Sequence, residues 1–288
     1  MKTLPHLLLA SALFAVCSAV LAADIHMAGD STMQTYRGNY APQQGWGQRM
    51  QELVKDGVTV HNRSIGGRST KSFKAEGRWA ELLKGVKKGD FVIIQFGHND
   101  GTKSKPERYA DPRTEYKANM KQFVEDVRAA GGIPVIATSI PFGIYLDDGK
   151  LKPPGFLDPY LQSARQVAAE TKCDLVDLYV YADKELNAAG SEKGAKLYLE
   201  LKPGEYPNYP EGRSDRCHIS FRGALFYAKA FALLAKEAKL PIAELFKDSD
   251  VSPMDAALKE PDTFRAKAAG PQTEAKDAAS APDAKPQK

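Results

Sequence analysis

Ser31, His218 and Asp215 fit by type and spacing a nucleophile, its base and the carboxylate that orients the base. Ser31 stands in the string Gly29-Asp30-Ser31-Thr32, and a serine hydroxyl can attack a carbonyl carbon when a base takes its proton. His218 can supply that base, and Asp215, three residues earlier, can hold the second ring nitrogen. These residues predict a catalytic triad for acyl transfer.

Acyl transfer also needs hydrogen-bond donors aimed at the oxyanion that develops on the substrate carbonyl. The candidates are the backbone N–H groups of Ser31 and Gly67 and the side-chain amide of Asn99. Gly67 lies in Gly66-Gly67-Arg68-Ser69, and Asn99 lies in Gly97-His98-Asn99-Asp100. Each string alone is also typical of an ordinary turn or helix cap. The prediction therefore depends on the elements that these strings follow.

Short apolar runs alternate with longer amphipathic segments along the chain. The runs predict five strands, at 25–28, 58–61, 91–96, 133–138 and 175–178. The segments predict helices at 46–54, 76–86, 114–130, 159–171 and 221–240. This order predicts an α/β fold with helices on both faces of a five-stranded parallel sheet. Ser31, Gly67 and Asn99 follow the first three strands, and sites in such sheets form at the carboxyl ends of the strands.

The motifs together resemble a known enzyme family. Gly29-Asp30-Ser31, Gly67, Gly97-His98-Asn99-Asp100 and Asp215-x-x-His218 are similar to the blocks of the SGNH (GDSL-type) hydrolase superfamily. The longer strings resemble the rhamnogalacturonan acetylesterase family; they are Gly29-Asp30-Ser31-Thr32-Met33, Gly45-Trp46-Gly47, Gly67-Arg68-Ser69 and Phe96-Gly97-His98-Asn99-Asp100. The resemblance implies a flavodoxin-like three-layer α/β/α sandwich, no metal or other cofactor, and removal of acetyl groups from pectic polysaccharide.

Two features depart from the family pattern. Cys217 stands between Asp215 and His218, where the resemblance suggests a small polar residue. A polar stretch over 182–213, rich in Gly, Pro and Tyr, is predicted to leave the core and to shape a substrate cleft. Both lie near the substrate and bear on specificity.

The two ends of the chain differ from its centre. Residues 1–22 predict a secretory signal peptide, because Lys2 precedes an apolar run over 7–20 that ends near small residues. Residues 23–258 are predicted to form the hydrolase domain, and 259–288 a disordered low-complexity tail. We therefore expect a periplasmic or secreted protein without membrane insertion, because no other stretch is apolar enough to cross a bilayer.

The charge of the chain bears on its partners. A formal net charge of +4 is small beside 36 acidic residues, and it argues against nucleic acid as a partner. A basic run could still attract an anionic polymer or simply form a solvated surface; it contains Arg63, Arg68, Lys71, Lys74 and Arg78, with Arg213 and Arg216 near the histidine.

Other functions remain open at this stage. A metal site could use His98, Asp100, Asp215, Cys217 and His218, although no pair has the spacing of a recognised zinc motif. The same scaffold could carry a lipid esterase or thioesterase, a deacetylase of bacterial exopolysaccharide, or a carbohydrate-binding protein that has lost catalysis.

Cys173 and Cys217 are predicted to remain unpaired. Cys173 precedes the fifth strand at its amino end, whereas the Asp215–His218 segment must reach the carboxyl ends. A five-residue strand spans about 16 Å, and a disulfide requires Cα atoms within about 7 Å.

Overall fold

The computed structural model describes residues 23–264, so the predicted signal peptide and the tail from 265 lie outside the described residues. The central sheet has five parallel strands in the order β2-β1-β3-β4-β5. Their bounds are β1 Ile25–Gly29, β2 Val60–Asn62, β3 Phe91–Gln95, β4 Ile133–Ala137 and β5 Asp174–Val176. The predicted α/β class and parallel sheet are confirmed.

Alternate residues of the strands pack into separate apolar cores on the two faces of the sheet. On one face Ile93 joins a cluster with Trp46 and Phe231, and on the other Val92 and Ile94 join a cluster with Phe123. Strands buried on both faces lack polar alternation. The fold is therefore a three-layer α/β/α sandwich.

Eight α-helices flank the sheet in the described part of the chain. They are α1 Met50–Leu53, α2 Thr70–Ala75, α3 Arg78–Gly85, α4 Glu115–Ala129, α5 Asp158–Thr171, α6 Leu178–Ala195, α7 Phe221–Glu237 and α8 Pro253–Lys259. Short 3₁₀ turns lie at Gly38–Tyr40, Trp46–Arg49, Gly155–Leu157 and Pro241–Leu245. No helix within 23–264 combines the length and the apolar character that a membrane span requires.

Two predicted segments differ in the structure. A helix was predicted at 76–86, but this part of the chain forms two helices, α2 and α3. They are separate because Gly77 adopts a left-handed φ of 73° between them. The predicted polar excursion over 182–213 largely forms α6 and a second sheet, in which β6 Tyr198–Leu201 pairs with the antiparallel β7 Arg213–Ile219. The helix was missed because its apolar stripe is short, with Leu178, Ala182 and Leu186 separated by polar residues, and because its backbone departs from helical geometry at Gly190.

The first residues of the predicted tail lie against the domain. Lys259 completes α8, Glu260 forms a 2.8 Å ion pair with the buried Arg49, and the Phe264 ring lies 5.1 Å from that of Phe221. Composition alone placed the boundary at 258, since Glu260 and Phe264 are isolated in a polar segment.

Candidate active site

The turn that carries Ser31 follows directly from β1. Asp30 fixes it, because one carboxylate oxygen accepts hydrogen bonds from the Thr32 backbone N–H at 2.9 Å and the Thr32 hydroxyl at 2.8 Å. The Tyr36 hydroxyl donates to the Ser31 carbonyl oxygen at 2.9 Å. Ser31 remains partly exposed at the carboxyl edge of the sheet, while Asp30 and Thr32 are buried.

The glycine pair after β2 lies beside this turn. A methyl group on Gly66 would lie 3.5 Å from the Ser31 Cβ, and the Gly66 backbone N–H donates to the Gln34 side chain at 2.5 Å. Gly67 has a φ of 76°, a conformation that favours glycine. The structure therefore brings Ser31 and the Gly66–Gly67 turn into contact.

Asn99 follows β3 and faces the same glycine turn. Its amide nitrogen donates to the Arg68 carbonyl oxygen at 3.1 Å. An asparagine amide has two N–H groups, so this bond orients the side chain and leaves a second donor. The predicted oxyanion donors thus come from three neighbouring strand ends.

Asp215 and His218 contact each other directly. His218 Nδ1 lies 2.7 Å from Asp215 Oδ2, and Asp215 Oδ1 accepts the backbone N–H groups of Cys217 at 3.0 Å and of His218 at 2.9 Å. Arg213 also donates to Asp215 Oδ2, at 2.5 Å. A proton on the Nδ1 that faces the carboxylate leaves Nε2 of His218 free to accept a proton.

The electrostatics of Asp215 keep it charged. Burial alone would raise the pKa of this carboxyl group, but the hydrogen bond and charge of His218, together with Arg213, hold that pKa well below its usual range. The carboxylate can therefore stabilise an imidazolium on His218.

An irregularity in β7 brings His218 into contact with Asp215. Tyr198 pairs with Ile219 but the next residue, Leu199, pairs with Asp215, so residues 216–218 bulge out of the ladder. Bulges redirect side chains and are common beside active sites. The Asp215–His218 string thus occupies the bulged end of a strand.

A connecting segment joins β7 to the Ser31 turn. The segment spans residues 44–46. At one end the Gln44 backbone N–H donates to the Ile219 carbonyl at 3.2 Å, and at the other the Trp46 backbone N–H donates to the Thr32 carbonyl at 2.9 Å. The structure thus ties both halves of the predicted triad to one segment. Within 23–264 no direct hydrogen bond joins the Ser31 hydroxyl to His218.

A family model described as a GDSL-like lipase/acylhydrolase matches residues 27–200 of this chain. The chain belongs to this GDSL-like family. The match includes Ser31, Gly67 and Asn99, and it ends before Asp215 and His218. The predicted superfamily resemblance is confirmed, and the protein is a carboxylic ester hydrolase.

Two curated relatives match this chain over nearly their whole length. YesY of Bacillus subtilis (strain 168), a probable rhamnogalacturonan acetylesterase, is 38% identical over 78% of this chain and 97% of its own. RhgT of the same organism, a rhamnogalacturonan acetylesterase, is 34% identical over 76% of this chain and 92% of its own. These relatives confirm the resemblance to the rhamnogalacturonan acetylesterase family.

Solved structures share the fold. The Bacillus subtilis protein YxiM has a TM-score of 0.66 at 25% identity, over 76% of this chain and 58% of its own. Axe2, an acetylxylan esterase of Geobacillus stearothermophilus, has a TM-score of 0.53 at 21% identity, over 74% of this chain and 95% of its own. Identity at that level supports the fold alone.

A buried polar cluster lies under the turns that carry Ser31 and Asn99 in this GDSL-like protein. His98 Nδ1 approaches Asp30 Oδ2 at 3.6 Å, so the turns after β1 and β3 meet through their side chains. Asp100 accepts the Thr70 backbone N–H at 3.0 Å and the Thr70 hydroxyl at 2.5 Å. Burial, opposed by these bonds and assisted by the charge of Asp30, raises the pKa of Asp100 to about 7.

The structure also shows the surroundings of the tryptophan and the cysteines that the sequence singled out. Trp46 is fully buried and donates to the Gln95 side chain at 3.0 Å, so it packs beneath the Ser31 turn. Cys173 and Cys217 are both free, as predicted. Within the described residues no group of three or more His, Cys, Asp or Glu side chains is arranged to hold a metal ion.

Two further residues near the site were not predicted from the sequence. Tyr36 supports Ser31 through its hydroxyl, and Arg108 lies against Gly67. Neither stands in a recognisable motif, and both reach the site from loops, so no local pattern predicted them.

Proposed function

We propose that this protein is an exported serine esterase that removes acetyl groups from acetylated pectic polysaccharide, specifically rhamnogalacturonan. The observation that carries the proposal is the 2.7 Å contact between His218 and Asp215 on a strand tied to the Ser31 turn. A charged carboxylate that orients a histidine, together with a partly exposed serine on a turn tied to the same segment, fits acyl transfer.

In the proposed reaction, His218 Nε2 takes the hydroxyl proton of Ser31, and Ser31 Oγ bonds to the acetyl carbonyl carbon. The N–H groups of Ser31 and Gly67 and the Asn99 amide stabilise the oxyanion, and each such donor is worth about 10²–10³ in rate. The bond from the carbonyl carbon to the sugar oxygen then breaks, and His218 returns its proton to that oxygen. Water hydrolyses the acetyl-enzyme by the same route and releases acetate.

The substrate and the location have separate support. YesY and RhgT, whose names specify rhamnogalacturonan acetylesterases, match this chain over 92–97% of their own length. Export is supported by the signal-peptide pattern of residues 1–22.

The test measures acetate release from acetylated rhamnogalacturonan by the wild type and by Ser31→Ala and His218→Ala. We expect each variant to lose at least about 10³-fold in kcat while keeping its circular dichroism spectrum. Ser104→Ala is the matched control, because Ser104 is exposed on a neighbouring loop and should retain wild-type turnover.

Acetylated xylan, an acetylated bacterial exopolysaccharide and long-chain nitrophenyl esters complete the substrate panel. The proposal requires the highest kcat/KM on acetylated rhamnogalacturonan. Near-normal turnover by either variant would disprove the triad, and a preference for long-chain esters would make the protein a lipid esterase.

A further inference from the structure

The basic run that the sequence offered as an anion-binding surface is largely neutralised in the structure. Arg68 and Arg78 both bind Glu76, at 3.0 Å and 2.5 Å. Arg213 binds Asp215, and Arg216 binds Glu200 at 3.1 Å. Guanidinium groups already bound to carboxylates have few donors left for a ligand.

Arg108 differs from these arginines. Its side chain is only 27% exposed, yet its guanidinium makes no hydrogen bond to any residue within 23–264. Its one ion pair in that range is a 3.9 Å contact from Nε to Glu107, whose side chain is 65% exposed. The nitrogen atoms of this guanidinium are accessible and have no hydrogen-bond acceptor within 23–264, so they are available to an anionic ligand.

Arg108 lies at the oxyanion donors. A methyl group on Gly67 would be 3.3–3.4 Å from three atoms of the Arg108 guanidinium, so the guanidinium packs against the Gly67 Cα. The Gly67 N–H is one of the proposed oxyanion donors. An anionic group bound by Arg108 would therefore belong to the same substrate molecule whose ester carbonyl accepts from that N–H.

The loop that carries Arg108 is held in place. The Tyr160 hydroxyl shares its one proton between the carbonyl oxygens of Asp100 at 3.0 Å and of Ala110 at 2.9 Å, which closes the base of the loop. The Ala110 backbone N–H donates to the Asp100 carbonyl at 3.1 Å, and the Arg108 N–H donates to the Lys105 carbonyl at 2.9 Å. A guanidinium on an anchored loop loses less conformational freedom when it binds a ligand.

We propose that Arg108 is a specificity-determining residue that binds a carboxylate of the substrate, on the uronic acid that carries the acetyl ester or on an adjacent one. The inference rests on the proposed function and names the residue that would recognise the acidic sugar of that substrate. A guanidinium forms two parallel hydrogen bonds with a carboxylate, which selects a uronate over a neutral sugar.

The test compares kcat/KM on an acetylated rhamnogalacturonan oligosaccharide and on the same oligomer with its carboxyl groups methyl-esterified. For the wild type we expect a preference for the free acid, and Arg108→Gln should reduce this preference by about 10–100-fold. Arg108→Lys, which keeps the charge but not the paired donors, should give an intermediate value. Arg113→Gln is the matched control, because it removes the same charge from an exposed position nearby and should leave the ratio unchanged.

The outcomes separate this inference from the proposed function. If the wild type deacetylates the free acid and Arg108→Gln lowers both rates equally, Arg108 acts on the oxyanion turn and the inference is wrong. It is equally wrong if folded Arg108→Gln and Arg108→Lys both keep the wild-type ratio. If the wild type hydrolyses neutral acetyl sugars but neither form of the oligomer, the pectic substrate itself is wrong, and the inference falls with it.

Discussion

Asp100 offers a quantitative test of the buried cluster under the turns that carry Ser31 and Asn99. Its side chain is fully buried, Oδ1 accepts two bonds from Thr70, and Oδ2 has no hydrogen-bond partner within the described chain. Burial is the main reason why the pKa of Asp100 is raised from 3.8 to about 7. The folded protein therefore keeps this proton at pH values where the unfolded chain has released it.

This difference makes the free energy of unfolding depend on pH. Between pH 4 and 7 the unfolded state binds fewer protons at Asp100 than the folded state, so the free energy of unfolding falls as pH rises. At about 1.4 kcal/mol for each unit of pKa difference, a rise of about 3 units corresponds to about 4 kcal/mol over this window. Asp100→Asn removes the titration while keeping an oxygen for Thr70.

We expect the stability of Asp100→Asn relative to the wild type to increase by up to about 4 kcal/mol between pH 4 and 7. Urea unfolding at a series of pH values, followed by the fluorescence of the buried Trp46 and Trp79, measures this difference. Asp148→Asn, at an exposed turn, serves as the control. A difference between Asp100→Asn and the wild type that stays constant within about 0.5 kcal/mol across the range would refute the argument.

Two further predictions concern the thiols and the C-terminal segment. Burial raises the pKa of Cys173 to about 12 and that of Cys217 well above its usual range, so neither thiol should react quickly with iodoacetamide at pH 8 in the folded protein. Peptide mapping should find both labelled after unfolding in urea, and a Cys173–Cys217 disulfide peptide would contradict the free-thiol assignment. Glu260→Gln should lower the free energy of unfolding by about 1–2 kcal/mol, because it weakens the contact with the buried Arg49. Thermal unfolding measures this loss, with Glu192→Gln on an exposed position as control; equal stability of the two variants would mean that residues 259–264 do not stabilise the domain.

Much of the scaffold follows from local sequence. The runs at 91–96 and 133–138 predicted strands buried on both faces, because apolar residues without alternation exclude a solvated face. Since parallel strands end at one edge, the positions of Ser31, Gly67 and Asn99 after successive strands already predicted that they meet. The structure confirms that these strand ends are neighbours.

The sequence was less informative where a residue depends on partners from distant segments. The helix α6 was not predicted, because polar residues separate its few apolar ones. The bulge that brings His218 into contact with Asp215 depends on how β7 pairs with β6. Register between strands is decided by packing of the whole hairpin, which no short string encodes.

The charged side chains show most clearly which properties the sequence determines and which the tertiary structure determines. The sequence determined that cations are abundant and that Ser31, Asp215 and His218 stand in a recognisable order. Only the tertiary structure decided which cations have partners: Arg68 is bound by Glu76, whereas Arg108 lies beside Gly67 without a hydrogen-bond acceptor in the described chain. The physical reason is that the energy of a charge depends on its burial and on the atoms within a few ångströms of it, and folding brings those atoms from remote parts of the chain.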